Sequence, residues 1–398
     1  MKTLLLAPAM FGSDGGIERM MRHYLRALLE LGAAGDRVDA VVLNDGPGAA
    51  AVSDLARRAG TFAGCGRSKG RFLAAGLRLG WSADRIVCGH VHLLPVAWLL
   101  SLLRPRLRYF LVAHGIEVWR RLSWSELRAA NASRRVLCVS DYTRREMRRH
   151  NPGLGAQRLV VVPNCLDPDL TEATGAVAAA RRRGSPQILT VSRLTSADRE
   201  KGVQTMIEAM PLILKERPRA HLRIVGGGND LEHLARLARS LGLEVELPMT
   251  ASGAGSASGV GMIESADDEA AEQGGESPAK ASPRAVVSFA GRIDDDRLRA
   301  EYAACDLFAL PSSKEGFGLV YLEAMAFGKP CLAANAGGAP EVVSAEAGVL
   351  VRAGNVDDVR DAVCGVALGS LAPDAIAHRA GEFTLSRLRE RLRGLLAA

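Results

Sequence analysis

Short apolar runs alternate with amphipathic stretches along most of this chain. Thr3–Ala7, Asp39–Leu43, Arg85–Cys88, Tyr109–Ala113, Arg135–Val139 and Leu159–Val162 read as strands, apolar nearly throughout, as a parallel sheet covered on both faces requires. From Ile17 to Leu31 the apolar residues fall on one helical face, and Gly32 supplies a C-terminal stop. A second series starts afresh at Gln187–Val191. It continues with a helix over Val203–Lys215, strand His221–Val225, a helix over Asp230–Leu241, and strands Val286–Ala290 and Asp306–Pro311. Two consecutive sets joined near residues 166–186 predict an α/β protein of two doubly wound domains with a cleft between them, at 1–170 and 171–380. The last stretch, 381–398, carries leucines at 385, 388, 392, 395 and 396 and reads as a helix.

One segment departs from this rhythm. Residues 250–284 are rich in Gly, Ser, Ala and acidic side chains and hold almost no large apolar group, which predicts a disordered insertion. Elsewhere the composition, 48% hydrophobic and 24% charged, is that of a globular protein. The first residues read as a buried strand rather than a signal peptide, and Val91–Leu103 is too short an apolar run to cross a bilayer. Seven cysteines without a Cys-x-x-Cys pair point to buried free thiols and a cytoplasmic location.

The net charge of +7 is unevenly spread, with residues 1–183 strongly basic and the remainder acidic. Arg67, Lys69, Arg71 and Arg78 stand beside Phe72, Leu73, Leu77, Leu79 and Trp81, a composition suited to peripheral contact with an anionic inner membrane face. Arg144, Arg145, Arg148 and Arg149 form a second basic cluster, on a helix starting near Asp141. No nucleic-acid reading module accompanies either cluster, so nucleic acid is not an expected partner.

The candidate chemistry centres on Ser313-Lys314-Glu315-Gly316-Phe317-Gly318-Leu319, which leads from strand Asp306–Pro311 into a helix containing Glu323. Gly316 and Gly318 permit close backbone approach to a ligand, and a helix N-terminus presents free amides to phosphate. Upstream, Arg193 follows strand Gln187–Val191 and Lys201 precedes Gly202. The alternative for Arg193 and Lys201 is a surface ion pair with Asp198 or Glu200. Gly15-Gly16 forms a turn after the first strand, and His114 closes the strand Tyr109–Ala113, where a doubly wound sheet opens its crevice. His90 and His92 flank another strand end and read as structural. Ser140 reads as a helix N-cap, and Asp294-Asp295-Asp296 as a helix start rather than a metal site.

The run from Glu315 to Glu323, continued by Cys331–Val343, resembles the Glu-x7-Glu element of the retaining glycosyltransferases of family 4, whose two Rossmann-like domains form the GT-B fold. The resemblance implies that Glu323 holds the donor ribose and that Glu315 lies beside the donor sugar. It implies further that Arg193, Lys201 and the amides of Gly318 and Leu319 meet the diphosphate, with Phe317 in the same loop. Gly15-Gly16 would then line the opposite wall, and His114 would be catalytic beside the donor sugar and acceptor, donating to a sugar hydroxyl or assisting proton transfer. Residues 381–398 would return to the first domain. It implies no metal and no cofactor beyond a UDP- or GDP-sugar donor. The acceptor expected is a glycan or lipid-linked sugar of the cell envelope. The competing expectation is a non-catalytic relative that binds a nucleotide-sugar as a scaffold.

Overall fold

A computed structural model describes residues 1–12, 15–33, 35–173, 186–248, 286–365 and 368–397. The predicted insertion at 250–284 lies outside these residues. The first domain holds a sheet of seven strands: β1 (Lys2–Ala7), β2 (Arg37–Val42), β3 (Thr61–Gly64), β4 (Arg85–Cys88), β5 (Arg108–Ala113), β6 (Arg135–Cys138) and β7 (Leu159–Val161). Their order is β3-β2-β1-β4-β5-β6-β7, and every pair is parallel. The second domain repeats the plan with β8 (Gln187–Val191), β9 (His221–Val225), β10 (Val245–Glu246), β11 (Val287–Gly291), β12 (Leu307–Leu310), β13 (Cys331–Ala334) and β14 (Gly348–Val351). Here the order is β10-β11-β9-β8-β12-β13-β14. The two domains face one another across a cleft, as the alternation of elements predicted.

In the first domain, alternate strand residues feed opposite cores. In β1, Leu4 and Leu6 join one cluster with Phe72, Leu94 and Leu100, while Leu5 and Ala7 join another with Met20, Tyr24 and Leu28. The second cluster is completed from the far end of the chain. Helix Leu385–Ala397 buries Leu388, Leu392 and Leu396 against helix Gly16–Leu31, and Arg389 pairs with Glu30 at 2.9 Å. The chain therefore crosses between domains twice, and the crossings touch: the Leu166 amide donates to the Phe383 carbonyl at 2.7 Å. All seven cysteines are buried and free.

Candidate functional site

In parallel sheets the loops that leave the C-terminal strand ends bound the crevice, and here both sheets turn those ends toward each other. Lys201 and Glu315 meet at that point, Nζ to Oε2, at 2.7 Å. A short 3-10 turn, Ser196–Lys201, carries the lysine past the end of β8, and the Ser313 amide ties it down by donating to the Glu200 carbonyl at 2.8 Å. The Glu315 carbonyl accepts from the Gly338 amide at 2.7 Å, which fixes the loop after β12 against the loop after β13. The pair is mostly shielded from solvent, so its attraction is screened less than that of a surface pair.

Glu323 sits one helical turn deeper, on helix Leu319–Ala326. Both carboxylate oxygens are engaged: Arg19 Nη1 donates to one and the Tyr302 hydroxyl to the other, each at 2.7 Å. Arg19 belongs to the first domain, so this bond spans the cleft. Its pKa is raised, chiefly by Glu323, and burial raises that of Tyr302 with Glu323 adding to the effect. Arg19 also reaches Asp295 at 2.8 Å.

Gly318 caps the same helix with φ 97°, a left-handed conformation costly for any residue with a Cβ, and no side chain caps the helix there. Gly316 is constrained differently. A Cβ at this position would lie 2.2 Å from the His114 carbonyl oxygen of the opposite domain, so glycine is what allows the two loops to meet. Gly316→Ala should therefore hold the cleft partly open and lower turnover at unchanged thermal stability of each domain. Small-angle scattering and a steady-state assay check this, and a variant as compact and active as the parent would refute it.

The other expected residues take different places. Arg193 is not joined to the Lys201–Glu315 pair; it bonds Asp198 at 3.0 Å and is 67% exposed. The Phe317 side chain is buried in the core, its ring edge-on to Phe383 with centroids 5.6 Å apart, so only its main chain faces the cleft. Leu319 packs against both domain cores and lies opposite Gly16. Gly15 is the N-cap of helix Gly16–Leu31, again with no side chain in the capping role. The loop before it is set by Asp45, a buried carboxylate that accepts the amides of Met10, Phe11 and Gly12 at 3.1, 2.9 and 3.2 Å.

His114 Nε2 donates to the Gly89 carbonyl at 3.0 Å, and its backbone amide donates to Glu117 at 2.5 Å. The next residue along, His90, is its neighbour on the adjoining strand end, because β4 and β5 pair directly. Its Nδ1 accepts the His92 amide at 3.3 Å. Burial pushes His90 down to about 4 against the opposing pull of Glu117, and burial likewise lowers His114. Both therefore bind fewer protons folded than unfolded, so their stabilisation is complete above pH 6.5 and declines as pH falls below it, that of His90 being lost toward pH 4. Glu126, which Arg120, Ser123 and His92 hold at about 2 against the upward push of burial, adds its loss only below pH 4.5. The melting temperature should thus decline between pH 6.5 and 4.5, and His90→Gln should flatten that decline. An equal decline in the variant would assign it to other groups.

Three contacts had no signal in any single motif. Ser140, the N-cap of helix Asp141–His150, also donates its hydroxyl to the Gly316 carbonyl across the cleft at 2.7 Å. Glu341 of the second domain accepts the Asp141 and Tyr142 amides, both at 2.7 Å, a carboxylate at the positive end of a helix dipole. Arg19 completes the set. Each becomes visible only when the strand ends of the two sheets are placed opposite one another.

Residues 177–253 and 273–369 match the family of glycosyl transferases group 1, and residues 14–170 match glycosyltransferase family 4. The chain belongs to the group 1 glycosyltransferases, and its two-domain arrangement is the GT-B fold. It is 32% identical over 292 residues to the GDP-mannose-dependent alpha-(1-6)-phosphatidylinositol monomannoside mannosyltransferase of Mycobacterium tuberculosis, a match covering 66% of this chain and 63% of that protein. Identity is 29% over 310 residues to the GDP-mannose-dependent monoacylated alpha-(1-6)-phosphatidylinositol monomannoside mannosyltransferase of Corynebacterium glutamicum, covering 71% and 68%. The chain thus spans less than two thirds of the first relative's length. Anabaena HepE in complex with UDP superposes with a TM-score of 0.72 over 100% of both chains, at 20% identity.

Proposed function

We propose that this protein is a retaining, metal-independent hexosyltransferase that carries mannose or a similar hexose from a GDP- or UDP-sugar to a lipid-linked or polysaccharide acceptor. The observation that carries the reading is the Lys201–Glu315 pair, poised at 2.7 Å where the donor domain meets the cleft. The two mannosyltransferases named above use GDP-mannose, which favours GDP over UDP, and their acceptors are phosphatidylinositol mannosides.

In this mechanism the bond from the sugar C1 to the diphosphate oxygen breaks as the acceptor hydroxyl forms its bond to C1 on the same face. The hydroxyl proton passes to the departing diphosphate. Lys201 stabilises the negative charge that develops there, and the free amides at Gly318 and Leu319 do so from the helix end. Arg193 joins them by leaving Asp198, a modest step for a side chain so exposed. Glu323 binds the ribose hydroxyls when Arg19 releases it, so donor entry and cleft opening are one event.

Differential scanning with GDP-mannose and UDP-glucose, followed by assay of nucleotide release, tests this reading. One donor should stabilise the protein and be slowly hydrolysed, with EDTA making no difference. The product's one-bond C1–H1 coupling should match that of the donor. A donor that binds but is never cleaved would favour the scaffold reading instead.

A further inference from the structure

Glu341 belongs to the second domain, yet the two amides that its carboxylate accepts belong to the first. Helix Asp141–His150 begins, as every helix does, with amides that find no partner inside it. Its N-cap residue serves the later ones. The Ser140 hydroxyl accepts from the Thr143 amide and the Ser140 carbonyl from the Arg144 amide, both at 3.1 Å. Glu341 takes the earlier two, Oε2 from the Asp141 amide and Oε1 from the Tyr142 amide. One carboxylate thus completes a helix of the opposite domain. These bonds exist only while the cleft is shut, and they add nothing to the fold of the domain that carries the glutamate.

The main chain around Glu341 is held from two sides. It lies on the short helix Ala339–Val342, which follows β13. Arg379, on helix Pro373–Gly381, donates from Nη2 to the Glu341 carbonyl at 2.6 Å and from Nε to the Val342 carbonyl at 3.2 Å. The same guanidinium lies 4.9 Å over the ring of Phe383, whose carbonyl joins the two crossings of the chain. On the other side the Gly338 amide donates to the Glu315 carbonyl, and a Cβ on Gly338 would lie 2.4 Å from the Gly316 carbonyl oxygen. Residues 338–342 therefore touch the opposite domain, the Glu315 loop and, through Arg379, the crossings.

We propose that Glu341 is a positioning residue for sugar transfer, one that holds the cleft shut over a bound donor while Arg379 fixes where it stands. The role rests on the transferase reading, in which donor and acceptor meet across the cleft. Arg19–Glu323 cannot fill it, because in that reading the donor ribose takes Glu323 and Arg19 must leave. The Ser140–Gly316 bond is between neutral groups. Glu341 needs no release: its partners are main-chain amides, so its bonds re-form once the donor is seated. Hydrogen bonds to an ionised acceptor are also the stronger kind. A shut cleft excludes water, which would otherwise attack the sugar C1 in place of the acceptor hydroxyl and release free sugar.

The full chain carrying Glu341→Gln tests the proposal, with GDP-mannose as donor and phosphatidylinositol monomannoside as acceptor. The amide keeps the size of the side chain and loses its charge, and bonds to charged groups are about twice as strong as neutral ones, so transfer should fall about tenfold or more. The bonds are present before and after the donor binds, so GDP affinity by calorimetry should stay within a few-fold. The ratio of free mannose released to mannose transferred should rise. A smaller folded fraction would lower both products in proportion, so the ratio separates positioning from a merely structural role. Arg379→Lys, which loses the fork spanning two carbonyls, should move the ratio the same way, and its addition to Glu341→Gln should change it no further. Small-angle scattering, with and without GDP, should give Glu341→Gln a larger radius of gyration than the parent. Equal radii, or a fall of both products in the same proportion, would overturn the proposal. Where the parent passes no mannose to this acceptor, that result bears on the transferase reading, and the scattering comparison alone decides whether Glu341 closes the cleft.

Discussion

Glu315→Ala is expected to lower sugar transfer by about 10²–10³-fold, the scale on which loss of one preorganised electrostatic group acts. Nucleotide affinity should stay within a few-fold, because the proposed mechanism assigns the diphosphate to Lys201, Arg193 and main-chain amides. The effect divides into two parts. The carboxylate that the proposal sets beside the reacting carbon is removed, and Lys201 loses its ionic partner, at 2.7 Å in the native protein. Glu315→Gln separates them, keeping the shape and a hydrogen-bond acceptor while discarding the charge. Steady-state turnover together with calorimetric titration of GDP and UDP checks the expectation; turnover equal to the parent would remove Glu315 from the chemistry.

Glu323→Ala should cost both stability and donor binding. Its carboxylate is buried, and truncation strands the Tyr302 hydroxyl and most of the charge on Arg19. Breaking a buried pair costs about 3–5 kcal/mol; the remaining bond from Arg19 to Asp295 argues for the low end of that range. Denaturant unfolding of the variant measures it. Glu323→Gln should recover much of the loss, because the amide oxygen still accepts from Tyr302. If both variants unfolded with the parent, the buried bonds at Glu323 would contribute nothing to stability.

The residues differ in how far the sequence revealed them. Leu4, Leu5, Leu6 and Ala7 announce a strand by being apolar without interruption, yet that same continuity hides which of the two cores each one joins. Strands β3, β10, β13 and β14 were not predicted, because they are short or contain glycine and lack a run long enough to register. Lys201 and Glu315 are 114 residues apart; the sequence brings both to the donor diphosphate and sugar, but offers Lys201 only Asp198 or Glu200 as an ionic partner, not Glu315. Arg19 and Glu323 could not be paired on paper, because their bond depends on how the domains close rather than on either domain's own pattern. His90 looked structural for a similar reason: its neighbour His114 comes from the adjacent strand, and strand order is not written in the residues around it. Helix Leu94–Leu103 is apolar all round, so its sequence gave no sign of which side would be left outward.

The two crossings joined by the Leu166–Phe383 hydrogen bond make the second domain a single excursion from the first, which owns both ends of the described chain. Such a body is hinged like a door on one post. A rotation about that point would displace each group in proportion to its distance from it. Contacts near the post would change little as the door moves, whereas Arg19–Glu323, Ser140–Gly316 and Glu341 at the Asp141 amides act together as its latch.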